Sequence, residues 1–383
     1  MKNQLAAIEL AILVGELKAF EGSRLDQVYG LAALGSAGKD DGKSLVFQFS
    51  GSEAAKRFIV AMAPSAMFGT MKKPAVSEPG GFCTLLRHHL GNARLSEIRQ
   101  RGTERIIELV FLSLERQQTL VIELFSKGNV LLLDGSGLIV GVAQQQVWKD
   151  RTIRPGFAYA PPPATFDLRF LTQEGLAFAL LSSDKDSVVK ALATSIGLSG
   201  TYAEALCALS GLDKGKAPKG LDSKETDALY SSLRRLLEEA PRPLGVKQNG
   251  ILVEVLPFPL PNAPAELVRF ESFNEAVEAI ALARAESAFS TARQLSSSRK
   301  IREMEIALEQ QQSTIAAMEL GAMENARAAE LIYERYQDVQ QLLAEYNTLR
   351  KTFSPEQLKD YFKSNKLVQK IDEKSGTITI DMG

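Results

Sequence analysis

The sequence predicts an α+β protein of several domains, and three observations carry that reading. Short β-branched and Leu-rich runs follow one another through residues 24–142, separated by Gly, Ser and Asp. A proline-rich stretch over 151–164 then gives way to compact helical runs over 165–240. From Phe273 no proline interrupts the chain until Pro355, and an apolar heptad runs along that span.

Residues 4–20 place Leu5, Ile8, Ile12, Leu13, Leu17 and Phe20 at helical spacing, and Gly22 ends the helix. β-like runs follow at 24–31, 44–49 and 58–62. Residues 64–79, with three prolines and Lys72-Lys73, read as a loop. Residues 82–90 form a short helix with Phe82, Leu85, Leu86 and Leu90 on one face. A second β block takes 95–99, 105–112, 119–125, 130–133 and 138–142, and Asp134-Gly135-Ser136-Gly137 is a hairpin turn. This spacing suggests a sandwich or barrel, not a parallel βαβ sheet. The first domain is placed at 1–164.

The domain at 165–240 holds Gly197-x-x-Gly200 between two helical runs, a helix-hairpin-helix pattern. Its glycines let the backbone approach a phosphate, and the next helix start offers N–H groups. The same spacing also makes a plain tight turn, and no Lys or Arg sits in it. Residues 241–272 hold one more strand at 250–257, expected to return to the first domain's sheet and pack on it.

Residues 273–350 read as a coiled-coil helix of roughly 110 Å at 1.5 Å per residue. With Ile301 at position a, the seam takes Leu308, Ile315, Ala322, Ala329, Tyr336 and Leu343 at a. It takes Met304, Met318, Ile332, Val339 and Tyr346 at d, and only Gln311 and Asn325 break it. So long a stripe must be covered, by an antiparallel return helix or by a second copy in a homodimer. Residues 351–383 form a small unit at the coil tip. Ser354-Pro355-Glu356-Gln357 starts a helix, and a hairpin joins 367–371 to 377–382. No return helix follows, so the sequence reads as a truncated piece.

Composition narrows the function. The 383 residues carry a net charge of −1, so any nucleic-acid contact must be a local patch. Two distant cysteines and two adjacent histidines make neither a disulfide scaffold nor a metal constellation. No apolar run reaches about 18 residues, so no membrane span is expected. A secretory signal is not expected either, because Glu9 and Glu16 follow the N-terminus closely. No phosphate loop, dinucleotide fingerprint or nucleophile elbow occurs, and no cofactor is expected. His88 and His89 point about 100° apart on a helix and read as surface or packing residues. Glu104 and Glu123 could serve as acid and base, but nothing supplies a nucleophile or metal beside them.

The informative stretch is 87–105, with Arg87, Arg94, Arg99, Arg101 and Arg105 against Glu97 and Glu104. It is either a solvated charged face or a phosphate-binding patch. Lys149, Arg151, Arg154 and Arg169 could extend it.

Three segments in order then carry a resemblance. They are Phe82-x-x-x-Leu86-Arg87-His88-His89-Leu90, Gln100-Arg101-Gly102-Thr103-Glu104-Arg105-Ile106-Ile107, and Glu123-Leu124-x-x-x-Gly128-Asn129-Val130-x-Leu132-x-Asp134. Together they resemble the NFACT-N domain of ribosome-associated quality-control factors of the NEMF/RqcH type. The resemblance implies a fold like that of the MutM-type DNA glycosylases, without their N-terminal proline or zinc finger. It implies a cytoplasmic, non-enzymatic factor that binds the obstructed large ribosomal subunit with its peptidyl-tRNA. Such factors recruit charged tRNA, typically alanyl-tRNA, for C-terminal tailing of the stalled chain. A further NFACT-R domain normally follows. With the resemblance, tRNA binding is expected of Arg87, His88, Arg99, Arg101, Glu104, Arg105 and Glu123, and the turn with Gly197, Ser199 and Gly200 either contacts an RNA phosphate or simply braces the domain. Glu104 departs from the usual Asp by one methylene, which puts tRNA recruitment in question. Two other readings compete: a DNA-lesion-binding protein and a fibronectin-binding-type interaction protein.

Overall fold

The structure is a computed structural model that describes residues 4–32, 42–50, 56–114, 116–148, 151–162, 166–261, 266–372 and 377–381, with side chains at 288–296 left undescribed. Lys149, the hairpin turn at 373–376 and Met382 lie outside the described residues. The chain divides into two compact units, Met1–Arg293 and Gln294–Gly383.

In the first unit, α1 (Ala7–Leu17) leads into an antiparallel meander of β1 (Arg24–Leu31), β2 (Ser44–Ser50), β3 (Lys56–Met62) and β4 (Ala66–Thr70). The two-residue β5 (Val76–Ser77) pairs with the end of β1. Then α2 (Gly81–Leu90) leads into a second meander of β6 (Arg94–Gln100), β7 (Ile106–Ser113), β8 (Arg116–Glu123), β9 (Asn129–Leu133) and β10 (Ile139–Val142). The two meanders join into one sheet, ordered β10-β9-β8-β7-β6-β1-β2-β3-β4. A small ribbon of β11 (Gln146–Val147) and β12 (Thr152–Ile153) follows.

The two halves repeat one plan. Arg24-Leu25-Asp26-Gln27-Val28 stands 70 positions before Arg94-Leu95-Ser96-Glu97-Ile98. Arg24 pairs with Arg94 at the junction. The backbone bonds there are reciprocal: Gly22 N–H to Leu95 O (2.7 Å) matches Asn92 N–H to Leu25 O (3.0 Å), and Leu25 N–H to Ala93 O matches Leu95 N–H to Ser23 O, both 2.9 Å. Gly22 and Asn92 both take left-handed φ, +81° and +63°, which turns each helix into its first strand. Both first strands shift register after their leucine.

The span 64–79, expected as a loop, contains β4 and β5. Ala66, Met67 and Phe68 are buried, but Gly69, Thr70 and the nearby prolines break up the strand signal. β4 is a sheet edge, and the first turn of α7 (Phe273–Glu334) closes it. Gly69 N–H donates to Asn274 Oδ1 (2.6 Å), and Asn274 Nδ2 donates back to Gly69 O (2.7 Å). Glu16 on α1 accepts from the N–H groups of Phe273 (2.9 Å) and Asn274 (2.6 Å), so a carboxylate from another helix caps this one.

Four helices follow: α3 (Gln173–Leu181), α4 (Val188–Thr194), α5 (Gly200–Ser210) and α6 (Ser223–Leu237). They pack around Leu176, Leu192, Tyr202, Leu206 and Leu233. Tyr202 donates its hydroxyl to the buried Glu9 Oε1 (2.9 Å), which ties α5 to α1. Burial and the Glu9 carboxylate push the Tyr202 hydroxyl well above its usual range. The strand expected to rejoin the first sheet does not. It is β14 (Ile251–Leu256), in a separate sheet with β13 (Leu244–Gln248) and β15 (Leu267–Arg269). Its neighbours β13 and β15 satisfy its pairing locally, and its side chains divide. Val255 enters the core of the large sheet, whereas Val253 and Leu256 enter the helical core.

In the second unit, Arg335 (φ −112°, ψ 35°) separates α7 from α8 (Tyr336–Leu349). Ser354 caps α9 (Pro355–Phe362): its Oγ accepts from Gln357 N–H, and Gln357 Oε1 accepts from Ser354 N–H (2.9 Å). Strands β16 (Val368–Asp372) and β17 (Thr377–Ile380) form the last hairpin. Leu342, Tyr346, Leu358, Phe362 and Ile371 make a small core. The proposed seam residues Ile301, Met304, Leu308, Ile315, Met318 and Ile332 are exposed, and Val339 is half-buried. Leu343 is exposed as well, while its neighbour Leu342 and the d-position Tyr346 are buried in the local core.

Candidate nucleic-acid interface

A cleft of about 510 Å³ opens in the first unit between the first turn of the second meander and the helical domain. Glu104 and Arg105, on the turn between β6 and β7, form one wall with Thr103. Thr194 at the end of α4, with Gly197 and Ser199 on the turn to α5, forms the other. Gln4 lies between them and accepts from Arg105 Nη1 through Oε1 (2.6 Å). The two positions singled out independently from the sequence therefore face one opening.

Each wall has a local cause. Arg101 N–H donates to Ile106 O and Glu104 N–H donates to Arg101 O, both at 3.0 Å, with Gly102 at φ +56°. These bonds close the turn that presents Glu104 and Arg105. Burial pushes the Arg105 guanidinium down from its usual range against the opposing pull of Glu104. An arginine this basic stays charged near neutral pH. On the opposite wall Gly197 and Ser199 both take positive φ, +84° and +72°. A Cβ at Gly200 would meet nothing within 4 Å, so the backbone there is open to approach. Ser199 Oγ is buried without a hydrogen-bond partner among the described residues. The first-turn amides of α5 have no intrahelical acceptor.

The other residues named from the sequence do not line the cleft. Arg99 and Arg101 converge on Glu108, which is buried: Arg99 Nε lies 2.7 Å from Oε2 and Arg101 Nη1 2.7 Å from Oε1. The bond to Glu108 holds the Arg99 guanidinium above its usual range. Arg87 turns inward, donating Nε to Val28 O (2.6 Å) with its guanidinium over the Tyr29 ring. His88 is exposed on α2. His89 Nδ1 lies 3.3 Å from Gln118 Nε2, and burial, His88 and Arg116 push it down. The stretch 87–105 is thus a set of anchored arginines, not a loose basic face.

Glu123 is 2% exposed at the end of β8. It pairs with Arg151 Nη2 and accepts from the Tyr159 hydroxyl (2.9 Å). Arg151 in turn lies against three rings, 5.4 Å from Tyr159, 5.6 Å from Trp148 and 6.0 Å from Phe125. The sequence reading missed Glu108, Tyr159 and Trp148. A lone tryptophan two residues from Asp150 and three from Arg151 was the one signal available for the last.

A ten-stranded sheet with a helical domain across a cleft, followed by a long helix, defines the class to which this chain is compared. The family described as NFACT N-terminal and middle domains matches residues 7–382, and the chain belongs to that family. It is 25% identical to the archaeal Rqc2 homolog aRqcH of Methanocaldococcus jannaschii over 99% of this chain and 58% of that one. It is 32% identical to ribosome quality control complex subunit 2 of Saccharomyces cerevisiae over 37% of this chain and 13% of that one. The chain therefore spans less than two thirds of either relative. The solved N-terminal part of the fibronectin/fibrinogen-binding protein from Streptococcus suis shares the fold. Its TM-score is 0.56 at 22% identity, over 72% of this chain and 98% of that one. Among the described residues no helix is long and apolar enough to cross a membrane.

Proposed function

We propose that this chain is the RNA-gripping part of a cytoplasmic ribosome quality-control factor. It binds the obstructed large ribosomal subunit with its peptidyl-tRNA, and it recruits a charged tRNA, alanyl-tRNA by resemblance, for C-terminal tailing. It acts by binding and not by turnover. The observation that carries the reading is the shared cleft, with Glu104 and Arg105 facing Gly197 and Ser199 across one opening. Arg105 supplies a fixed positive charge, and the start of α5 supplies amide donors suited to phosphate oxygens. In this reading the 197–200 turn with its two helices is a helix-hairpin-helix. The exposed stripe from Ile301 to Ile332 is one strand of a coiled coil, completed by a return helix or a second copy.

Two relatives named for ribosome quality control support the assignment. The test is binding of labelled tRNA, and of purified large subunits, across about 50 to 200 mM salt. Affinity should fall linearly with salt on logarithmic axes, as counterion release requires. Absence of binding to both at low salt would remove the proposal.

A further inference from the structure

We infer that Trp148 is a stacking platform for one unpaired base of the bound RNA, and that Glu123 positions it through Arg151. The inference rests on the RNA-binding reading above and adds a second contact to it. A cavity of about 270 Å³ lies beside Trp148, lined also by Phe125, Lys127, Gln144 and Gln146, with Glu123 at its floor. The indole is 47% exposed although it is the largest side chain in the region. The side chain beneath it is fixed: Arg151 is 11% exposed and ion-paired to Glu123, and its guanidinium sits 5.6 Å from the indole centroid. A half-exposed aromatic ring on a buried ion pair has the form of a base-stacking surface.

The lining decides what it takes. Two glutamine amides offer donors and acceptors to the edge of a base, and Lys127 offers a charge to its phosphate. A lipid tail would offer these amides no hydrogen-bond partner. Asn129 holds the segment that carries both glutamines, donating Nδ2 to the backbone carbonyl of Gln144 (2.8 Å) and to Gln146 Oε1 (3.4 Å).

Position links the pocket to the cleft. Ile106 pairs with Glu123 across β7 and β8, and Leu124 N–H donates to Arg105 O (2.8 Å). Arg105 of the cleft and Phe125 of the pocket thus stand on adjoining strand ends, within reach of one RNA strand. Glu123 itself is too buried to touch RNA, so it is a positioning residue, and its effect passes through Arg151.

Trp148 is the single tryptophan, so indole emission reports this pocket alone. The experiment titrates the full chain with an unstructured single-stranded RNA of about ten nucleotides and with a blunt RNA duplex of the same composition. The single strand should quench the emission to saturation, and the duplex should not. With labelled tRNA, Trp148→Ala should lose about tenfold in affinity, the loss of one base stack, and Trp148→Phe should recover most of it. Glu123→Gln should lower the quench amplitude at saturating RNA, which a purely structural role would leave unchanged. An indole unaffected by saturating RNA, or Trp148→Ala binding tRNA at wild-type affinity, overturns the inference. If tRNA binding still depends on Arg105 in that case, the cleft reading stands and the base pocket alone is lost. If tRNA does not bind at all, both fall.

Discussion

The two halves of the large sheet share a backbone and differ in what they carry. At positions 70 apart, Tyr29 and Leu31 of β1 stand where Arg99 and Arg101 occur at and just after β6. In the first half, Tyr29 lies against Lys73 and Arg87, 5.7 and 5.3 Å from its ring, and the outer strand β4 is closed by Asn274. In the second half, the arginines are locked on the buried Glu108, and the next turn opens into the cleft. The repeated part is the junction: the left-handed turn, the Arg-Leu start and the reciprocal backbone bonds. Backbone geometry therefore sets where each half begins. The side chains beyond it make one half a socket for the start of the long helix and leave the other lining the cleft proposed to hold RNA.

The sharpest way to break this comparison is to attack the buried charge of the second half. Glu123→Ala leaves Arg151 unpaired among aromatic rings and should cost about 3–5 kcal/mol in denaturant unfolding. The double variant Glu123→Ala/Arg151→Met should recover part of that loss. If single and double variants unfold alike, the ion pair is not what holds this region. The first half should respond to volume. A Cβ at Gly69 would lie 2.7 Å from the Phe20 ring, so Gly69→Val should cost about 1–3 kcal/mol while leaving tRNA affinity unchanged. A variant that lost tRNA binding without losing stability would contradict the division between the halves. The smallest effect sits at the shared junction. Gly22→Ala should destabilise by about 1 kcal/mol, whereas Asn92→Gly should be neutral or slightly stabilising, because both residues hold positive φ. Equal responses in urea titrations would argue against equivalent turns.

Much of this was readable from local pattern. The run 24–31 is β1, the turn at Asp134 joins β9 to β10, and Ser354 starts α9 by the capping box its spacing implied. The failures have physical sources. β4 hides its period behind Gly69 and flanking prolines. The resemblance put Glu123 forward for tRNA contact, and nothing in the sequence signals that its carboxylate is buried in an ion pair. Its partners Arg151 and Tyr159 lie 28 and 36 residues away, beyond any spacing rule. The repeat was present as Arg-Leu-x-x-Val and Arg-Leu-x-x-Ile, but two identities in five residues are too few without the backbone bonds. For the cleft, Glu104, Arg105 and the 197–200 turn were all legible as candidates. Their meeting was not, because Gln4 and Thr194, which complete the opening, carry no chemical signature.

The central claim is that RNA is held at this cleft by a placed charge and not by charge in general. The direct measurement compares Arg105→Ala with Arg57→Ala in tRNA binding at one salt concentration. Both remove one positive charge, but Arg57 belongs to the first half, where it donates to Ala19 O (2.9 Å) and Ser23 Oγ (2.6 Å). The account predicts about a tenfold or greater loss for Arg105→Ala, as for a charge-assisted contact, and little change for Arg57→Ala. Equal affinities in the two variants would contradict it.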